Sequence, residues 1–314
     1  MGGNNFSRSL TSRETAEEFV RNILNINDTN TTAIAYKIKN AELLMVSTIN
    51  QSSINSPSEC IQEYREKHKR KELHERIIEE LFSTPRLEND EDIMLGKGGA
   101  LPLNGKVECN REAYIITGLP ASGKSGLTSR LSDSQSAIII DNDYAKRKIP
   151  EFHVIDAAYS ANFVHEEASI IVEGEDGLLS RAVSKGYNLI YPKIGHRVES
   201  LVSLAKALKD NDYKVYLVLV SLDRQKAVQR AYNRFVKTGR YVPLSLVFDG
   251  YANDPILTYY RIKVLNSDRN CFDGLIKISS DVPFGKVPMF VDGEGTGLIK
   301  SQEDVDKLYE GVII

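Results

Sequence analysis

Apolar, β-branched residues recur in short runs through the last two thirds of the chain. Five such runs, separated by stretches of helical periodicity, span residues 113–117, 137–140, 188–191, 216–220 and 275–278. Strands that are apolar on both faces and alternate with helices are typical of a parallel sheet covered on both sides. One covering helix shows the i, i+3, i+4, i+7 spacing at Val198, Leu201, Val202, Ala205 and Leu208. The pattern predicts a three-layer α/β core.

The first 105 residues show helical patterns and polar stretches instead. Thr11-Ser12-Arg13-Glu14 has capping-box spacing and predicts the start of a helix whose apolar stretch runs through Ile26. Residues 59–82 predict a highly charged helix that Pro85 stops. Residues 96–105 are rich in Gly and Pro and indicate a linker. We therefore predict an N-terminal helical segment and linker at residues 1–105 and a second domain at residues 106–314.

Composition narrows the class of protein. Lys and Arg total 40 against 43 Asp and Glu, so the formal charge is −3, which argues against a nucleic-acid-binding protein. The basic run His68-Lys69-Arg70-Lys71 is interpreted as a solvated helix face paired with nearby glutamates rather than a nucleic-acid patch. No apolar run reaches the roughly 18 residues of a membrane span, and residues 1–6 lack a signal-peptide pattern. We expect a cytoplasmic protein without membrane contact.

A glycine-rich loop follows the first apolar run. Gly118-Leu-Pro-Ala-Ser-Gly123-Lys124-Ser125 fits the pattern GxxxxGK[ST], and the apolar face of a helix opens after it. Backbone N–H groups of such a loop form an anion cradle, Lys124 would neutralise phosphate charge, and the Ser125 hydroxyl would bind Mg²⁺. The residues predicted to bind the nucleotide are Gly118, Ala121, Ser122, Gly123, Lys124 and Ser125.

Two carboxylates stand just beyond the second apolar run. In Asp141-Asn142-Asp143, we interpret Asp143 as the base that accepts the proton of an acceptor hydroxyl. Asp141 is a candidate Mg²⁺ ligand or a turn former. Asp223, after the fourth run, has two interpretations of equal weight, a Walker-B carboxylate or the cap of the next helix.

A basic helical stretch follows Asp223. Arg230 and Arg234 lie four residues apart, and a turn at Thr238-Gly239 brings Arg240 back. Arginines on a helical hairpin beside a phosphate loop can clamp a transferring phosphoryl group. Arg234 and Arg240 are therefore predicted to be catalytic, together with Lys124 and Asp143.

These motifs together resemble the zeta toxin family, P-loop kinases known as the toxins of toxin–antitoxin pairs. The resemblance covers about residues 70 to 245. Besides the loop and the two lid arginines, it rests on Lys71-Glu-Leu-His74-Glu-Arg-Ile, Ile140-Asp-Asn-Asp143 and Ser184-Lys-Gly-Tyr-Asn-Leu189. It implies transfer of the γ-phosphate of ATP, with Mg²⁺, to a hydroxyl of a nucleotide-type metabolite. The known acceptor is UDP-N-acetylglucosamine, and a branch among bacterial effectors phosphorylates NAD instead.

One departure concerns the acceptor. Family members that act on the amino sugar usually carry Glu-Gly-Thr after the third strand, where this chain has Pro192-Lys193-Ile194, with His196 and Arg197 close behind. Basic groups in this place favour a more anionic acceptor such as NAD. The residues predicted to bind the acceptor are Lys193, His196, Glu167 and Asp176, the last as the best positional match to an acceptor-binding glutamate.

Other functions remain open at this point. A nucleotide-dependent switch or ATPase would keep the loop without transferring phosphate, and a catalytically inactive zeta-like module would keep the fold. A polynucleotide 5′-kinase is disfavoured by the net charge of −3. The resemblance also raises an antitoxin or chaperone as a protein partner, and delivery into a host cytoplasm if the chain is an effector.

Overall fold

The computed structural model describes residues 7–283 and 285–310, so the expectation made for residues 1–6 lies outside the described residues. The strands within it are β1 Glu112–Thr117, β2 Ile138–Ile139, β3 Leu189–Pro192, β4 Lys214–Ser221, β5 Gly274–Ser279 and β6 Met289–Gly295. They form one sheet in the order β2-β3-β1-β4-β5-β6. Strands β1 to β5 are parallel, which confirms the predicted α/β fold with a parallel sheet.

Helices flank this sheet and build the N-terminal segment. In chain order they are α1 Arg13–Asn22, α2 Thr31–Ser47, α3 Lys67–Ser83, α4 Lys124–Ser134, α5 Asn142–Lys148, α6 Glu151–Val154, α7 Ala157–Phe163, α8 His165–Glu173, α9 Leu178–Lys185, α10 Val198–Lys209, α11 Arg224–Thr238, α12 Asp254–Val264, α13 Asn266–Arg269 and α14 Gln302–Tyr309. No helix in the described ranges has the length and apolar character needed to cross a membrane.

Strand β6 was not foreseen. It runs antiparallel to β5 at the sheet edge, and its side chains are half-buried or exposed along its whole length. An edge strand buries little surface, so it lacks the continuous apolar run by which the other strands are recognised.

Local signals set most helix boundaries. The predicted helix start is confirmed, but the cap is Ser12, whose hydroxyl accepts a hydrogen bond from the Thr15 amide at 3.2 Å, rather than Thr11 as the capping-box spacing implies. Helices α9 and α11 end at Gly186 and Gly239, whose φ angles of 70° and 73° suit glycine. Helix α10 bears out the predicted apolar stripe.

Two predicted helix boundaries in the N-terminal segment are wrong, and one helix there was not predicted. Helix α1 ends at Asn22 rather than near Ile26, and α2 fills a region for which no helix was predicted. Helix α3 begins at Lys67 rather than residue 59, after two 3-10 turns at Pro57–Glu59 and Gln62–Tyr64. The reason is tertiary: the Ile61 amide donates to the Glu151 carboxylate at 3.0 Å. The Glu151 carboxylate, which is distant in sequence, therefore accepts the hydrogen bond of a backbone amide that lies near the predicted start of the helix.

Arg70 corrects the interpretation of the basic run as a solvated face. Its side chain is only 12% exposed and pairs with Glu151 at 2.8 Å and Glu167 at 2.5 Å, and both carboxylates are fully buried. His74, one turn further along α3, contacts the same Glu167 at 2.6 Å. The basic run thus carries a buried ion cluster that joins α3 to α6 and α8.

The N-terminal segment packs in two places. The apolar face of α3 shares one buried core with the strands, and the Ile139 amide of β2 donates to the Ala100 carbonyl at 2.9 Å. Helices α1 and α2 share a second core with α11 and the residues after it. The domain boundary at residue 105 stays a prediction; across it the chain is joined by apolar packing and by hydrogen bonds.

Candidate active site

The glycine-rich loop links β1 to α4 at the carboxyl edge of the parallel strands. Gly118 has φ +148°, and a Cβ there would lie 2.5 Å from the Val220 carbonyl oxygen, so no side chain fits. Gly123 caps α4 with φ +90°. Ala121 is also left-handed, at φ 61°, an uncommon conformation for a residue with a Cβ. Such a path turns backbone amides toward one concavity at a helix N-terminus, as the sequence predicts.

Neighbouring loops hold this cradle in place. The Gly118 amide donates to the Ile194 carbonyl after β3 at 3.1 Å. The Ser280 hydroxyl, just after β5, donates to the Ser122 carbonyl at 2.6 Å. The buried Ser122 hydroxyl finds no hydrogen-bond partner among the described residues. An unsatisfied buried donor in an amide cradle fits a site for an anionic oxygen.

Lys124 lies over the loop. Its Nζ donates to the carbonyls of Gly118 and Leu119 at 2.6 and 2.7 Å. Burial lowers the pKa of Lys124 to about 8, although Asp141 and Asp143 oppose this shift and only Arg234 adds to it. The lysine, both aspartates and one lid arginine therefore share one electrostatic environment.

The two aspartates differ in state. Asp141 caps α5 by accepting from the Asp143 amide at 2.9 Å, and burial, with the charge of Asp143, raises the pKa of Asp141 to about 6. Lys146 pairs with Asp143 at 2.9 Å and holds the pKa of that carboxyl well below its usual range. The Asp143 side chain is 48% exposed, so it stays ionised and open to a second molecule. The structure thus makes Asp141 a helix cap, a role foreseen as one of its alternatives.

Helix α11 brings the predicted arginines to the same place. Arg234 lies where Asp143 and Arg240 both affect its pKa, which burial, the largest effect, lowers. Its Nε is buried without a hydrogen-bond partner in the described part of the chain. Arg240, beyond the Gly239 turn, forms an ion pair with Glu91 and lies over the Phe152 ring at 5.3 Å. A buried guanidinium with an unused donor fits an oxyanion ligand.

The predicted acceptor residues separate. Lys193 follows β3 and pairs with Glu173 at 2.6 Å, and the Tyr191 hydroxyl donates to the same carboxylate at 2.6 Å. Asn142, between the two aspartates, also interacts with Glu173. Glu173 lies at the end of α8, and no sequence motif marks it. Its signal is tertiary, because α8 packs directly on α5.

The other three residues predicted for the acceptor site lie in different surroundings, and their role stays a prediction. Glu167 is fully buried. Burial alone would raise its pKa, but hydrogen bonds from His74 and Arg70 outweigh this effect and lower the pKa to about 2. Its carboxylate is therefore engaged in the ion cluster. Asp176 lies exposed in the turn before α9. His196 packs on the Tyr251 ring at 5.2 Å and lines a separate cavity of about 240 Å³ with Arg197, Asp254 and Arg261 among others.

Of the two interpretations given for Asp223, the structure shows the helix cap. It caps α11, where its Oδ1 accepts from the amides of Gln225 and Lys226 at 2.9 and 3.3 Å. A capping carboxylate engaged by two amides does not need a metal to explain its position.

A divalent cation would find oxygen donors here. The Ser125 hydroxyl is exposed at the start of α4, and the Asp141 carboxylate lies in the Lys124 cluster. Within residues 7–283 and 285–310, no group of three or more His, Cys, Asp or Glu is arranged to hold a metal alone. Mg²⁺ suits this donor set, because it is usually held by one or two protein oxygens plus substrate phosphates.

Comparison with known proteins finds similarity to one family. Residues 107–253 match the family model described as zeta toxin, a span that lies mostly within the resemblance found from motifs. The chain is 30% identical over 112 residues to Toxin zeta of Streptococcus agalactiae, covering 34% of this chain and 39% of that protein. It is 28% identical over 152 residues to Toxin zeta of Enterococcus hirae, covering 47% of this chain and 50% of that protein. The chain thus spans half the length, or less, of these two relatives.

Among solved structures, one similar chain comes from the PezAT chromosomal toxin–antitoxin system of Streptococcus pneumoniae. The TM-score is 0.48 at 18% sequence identity, and the match covers 67% of this chain and 83% of that chain.

Proposed function

We propose that this chain is an ATP-dependent kinase acting on a hydroxyl of a nucleotide-type small molecule, since residues 107–253 match the zeta toxin family model. The observation that carries the proposal is the meeting of Lys124, Asp143 and Arg234 in one cluster beside the phosphate loop. A P-loop ATPase typically activates water with a glutamate that follows the Walker-B strand, and no glutamate follows Asp223 in this chain. Phosphoryl transfer to a hydroxyl uses all three groups.

The nucleotide would bind through the loop. Amides of residues 118–125 would hold the phosphates, and Lys124 would leave the carbonyls of Gly118 and Leu119 to contact phosphate oxygen. Mg²⁺, when bound, would neutralise phosphate charge, and Ser125 and Asp141 are the residues that we propose to hold it.

Asp143 would act on the acceptor. The acceptor oxygen forms a bond to the γ-phosphorus, the bond from that phosphorus to ADP breaks, and the hydroxyl proton passes to the Asp143 carboxylate. Since Lys146 keeps Asp143 ionised, the carboxylate can accept a hydrogen bond from the hydroxyl across the whole neutral pH range. Arg234 and Arg240 would stabilise charge on the phosphoryl group as it moves.

The acceptor side is rich in cations. Lys146, Lys193 and Arg147 are found around α5 and the end of β3, and Glu173 is already engaged by Lys193 and Tyr191. Each of these cations is paired with a carboxylate, so the preference rests on the basic residues Lys193 and Arg197, at and just after the place where Glu-Gly-Thr is usual, and we propose a dinucleotide such as NAD before UDP-N-acetylglucosamine. Consumption of such a metabolite would make the chain a toxin or effector, with an antitoxin or chaperone as the proposed partner.

The substitution Asp143→Asn tests the assignment. Asparagine keeps size and polarity but takes no proton, so kcat for transfer from ATP to NAD should fall about 10²–10⁴-fold. ATP affinity should persist because the loop is unchanged. Labelled ATP with NAD, UDP-N-acetylglucosamine or a metabolite extract, followed by mass spectrometry, identifies the product.

Asp210→Asn is the matched control. Asp210 is exposed at the end of α10, shortly before β4 begins. It therefore lies near the amino ends of the parallel strands, away from the loop at their carboxyl ends, and this variant should keep wild-type kcat. If phosphate is released from ATP at the same rate whether or not any of these acceptors is present, the proposed kinase function is wrong and the chain is an ATPase.

A further inference from the structure

A short acidic turn from the N-terminal segment reaches the lid arginines. Glu91 lies in the 3-10 turn Asp90–Asp92. One of its carboxylate oxygens accepts from Arg147 Nη2 at 3.2 Å, and the other accepts from Arg240 Nη1. Arg147 belongs to α5, which also carries Asp143, and Arg240 follows α11, so a single carboxylate joins these two parts of the site.

The turn itself is held firmly. Asn89 Oδ1 accepts from the Glu91 amide at 3.2 Å, and the Tyr144 hydroxyl donates to Asp90 at 2.8 Å. Ile93, directly after the turn, is fully buried. Because Tyr144 follows Asp143 in α5, the turn is anchored to the helix that carries the proposed base.

Charge explains why a carboxylate is useful there. Arg234 lies near both Arg147 and Arg240, and each of these like charges lowers the pKa of Arg234. Glu91 opposes this crowding. Burial would raise the pKa of Glu91, but the charges of Arg147 and Arg240 outweigh it, so the pKa lies below its usual value and Glu91 is ionised at neutral pH.

The contact leaves the arginines free to bind phosphate. Glu91 uses one terminal nitrogen of each guanidinium, and Arg147 Nε stays buried without a partner among the described residues. A group that blocked the site would be expected to take the bidentate edge of an arginine.

We propose that Glu91 is a positioning residue for phosphoryl transfer, which fixes Arg240 and Arg147 beside Asp143. The inference rests on the proposed kinase function and extends it: the N-terminal segment completes the site. An arginine that is already held in its catalytic orientation loses no further conformational entropy when the transition state forms. A small misplacement of such a group lowers the rate by up to about 10²-fold.

Transfer from ATP to NAD or UDP-N-acetylglucosamine measures the effect. We expect Glu91→Gln to lower kcat about 10- to 100-fold while KM for ATP changes little, because the loop is untouched. Glu91→Asp should recover part of the loss. Asp92→Asn, the same charge change at the exposed neighbouring residue, should match the wild type. In an Arg240→Ala background the effect of Glu91→Gln should shrink, since the two residues act through one contact.

Arginine side-chain NMR gives a readout that does not depend on turnover. The Arg240 Nε–H resonance should shift in Glu91→Gln and stay in place in Asp92→Asn. Wild-type or faster turnover by Glu91→Gln overturns the positioning role, and a faster rate would make Glu91 an inhibitory latch. If the wild type phosphorylates no acceptor, the kinase function itself falls, whereas an active wild type with an indifferent Glu91→Gln removes the positioning role alone.

Discussion

Lys124 shows at the residue scale how burial prepares a charge for its ligand. Its ammonium donates to the Gly118 and Leu119 carbonyls of the loop, and burial brings its pKa to about 8. Phosphates would stabilise the charged form, so binding of ATP should raise this pKa. Binding at high pH therefore includes uptake of a proton.

ATP affinity should accordingly fall as the pH rises through about 8. Above that pH, free Lys124 loses its proton, and Kd should increase by up to about tenfold per pH unit until the pKa of the complex is reached. Titration calorimetry from pH 6.5 to 10 measures this. Lys124→Arg, which stays charged throughout, should bind with a flatter profile. A wild-type Kd that stays constant from pH 7 to 9.5 would contradict the assignment of Lys124 to phosphate.

The basic end of α5 is a second lesson at this scale. Lys146, Arg147 and Lys148 are adjacent in sequence, yet their partners are Asp143, Glu91 and Glu80. Helical geometry points the three side chains in different directions. Each therefore meets a different element, and only the contact of Lys146 with Asp143 lies within the helix itself.

Helix α11 carries the lid, and its start depends on Asp223. The Asp223 carboxylate accepts from the amides of Gln225 and Lys226, which would otherwise lack partners at the helix N-terminus. The same helix places Arg234 and, past Gly239, Arg240. Its stability and the order of the lid are thus connected.

Asp223→Ala should destabilise the protein by about 1 kcal/mol, the usual contribution of an N-cap, as measured by urea unfolding. Asp223→Asn, which caps equally well, should keep both the unfolding free energy and kcat. A large loss of kcat in Asp223→Asn at unchanged stability would instead favour the Walker-B interpretation.

Across the whole molecule, the N-terminal segment is joined to the core at separate places. Helices α1 and α2 pack on α11, where the Tyr241 hydroxyl donates to the buried Glu42 carboxylate at 2.6 Å. Helix α3 joins α6 and α8 through Arg70, Glu151 and Glu167. Burial of a charge is unfavourable unless it is paired, so these contacts hold the segment in one arrangement.

The ion cluster should make stability fall in acid. Hydrogen bonds from His74 and Arg70 outweigh burial and lower the pKa of Glu167 to about 2, from an unfolded value near 4.5. A carboxyl whose folded pKa is depressed stabilises the fold above the unfolded pKa. This contribution, about 3 kcal/mol, should be lost as the pH falls from about 4.5 to 2.

Glu167→Gln tests this contribution. It should lower the unfolding free energy at pH 7 by about 3–5 kcal/mol, since Arg70 keeps a buried charge with one partner fewer, and it should flatten the decline below pH 4.5. Urea unfolding from pH 2 to 7 measures both. Glu166→Gln, at the exposed neighbouring residue, should behave as the wild type. An unchanged acid profile in Glu167→Gln would mean that other carboxyls carry the dependence.

Features that depend on neighbours within a few residues could be recognised without the structure. The phosphate loop, the five parallel strands, the start of α1 and the turn at Gly239 belong to this class. Each follows from local spacing, from the periodicity of apolar residues or from a backbone conformation that one residue type favours. Helix α2 was not predicted because its many apolar residues are spread around the helix rather than along one face, and strand β6 was not predicted because few of its residues are apolar.

The pairing of charges had no such signature. Glu91 and Arg240 lie 149 positions apart, Arg70 and Glu167 lie 97 apart, and Glu42 and Tyr241 lie 199 apart. No periodicity in the sequence shows which residue a charged side chain will pair with, and most charged side chains remain in solvent. Glu167 thus resembled an acceptor ligand, and no pattern marked Glu91, until the folded chain brought each carboxylate against its arginines. Such contacts form only where packing of the apolar faces has already set the distances.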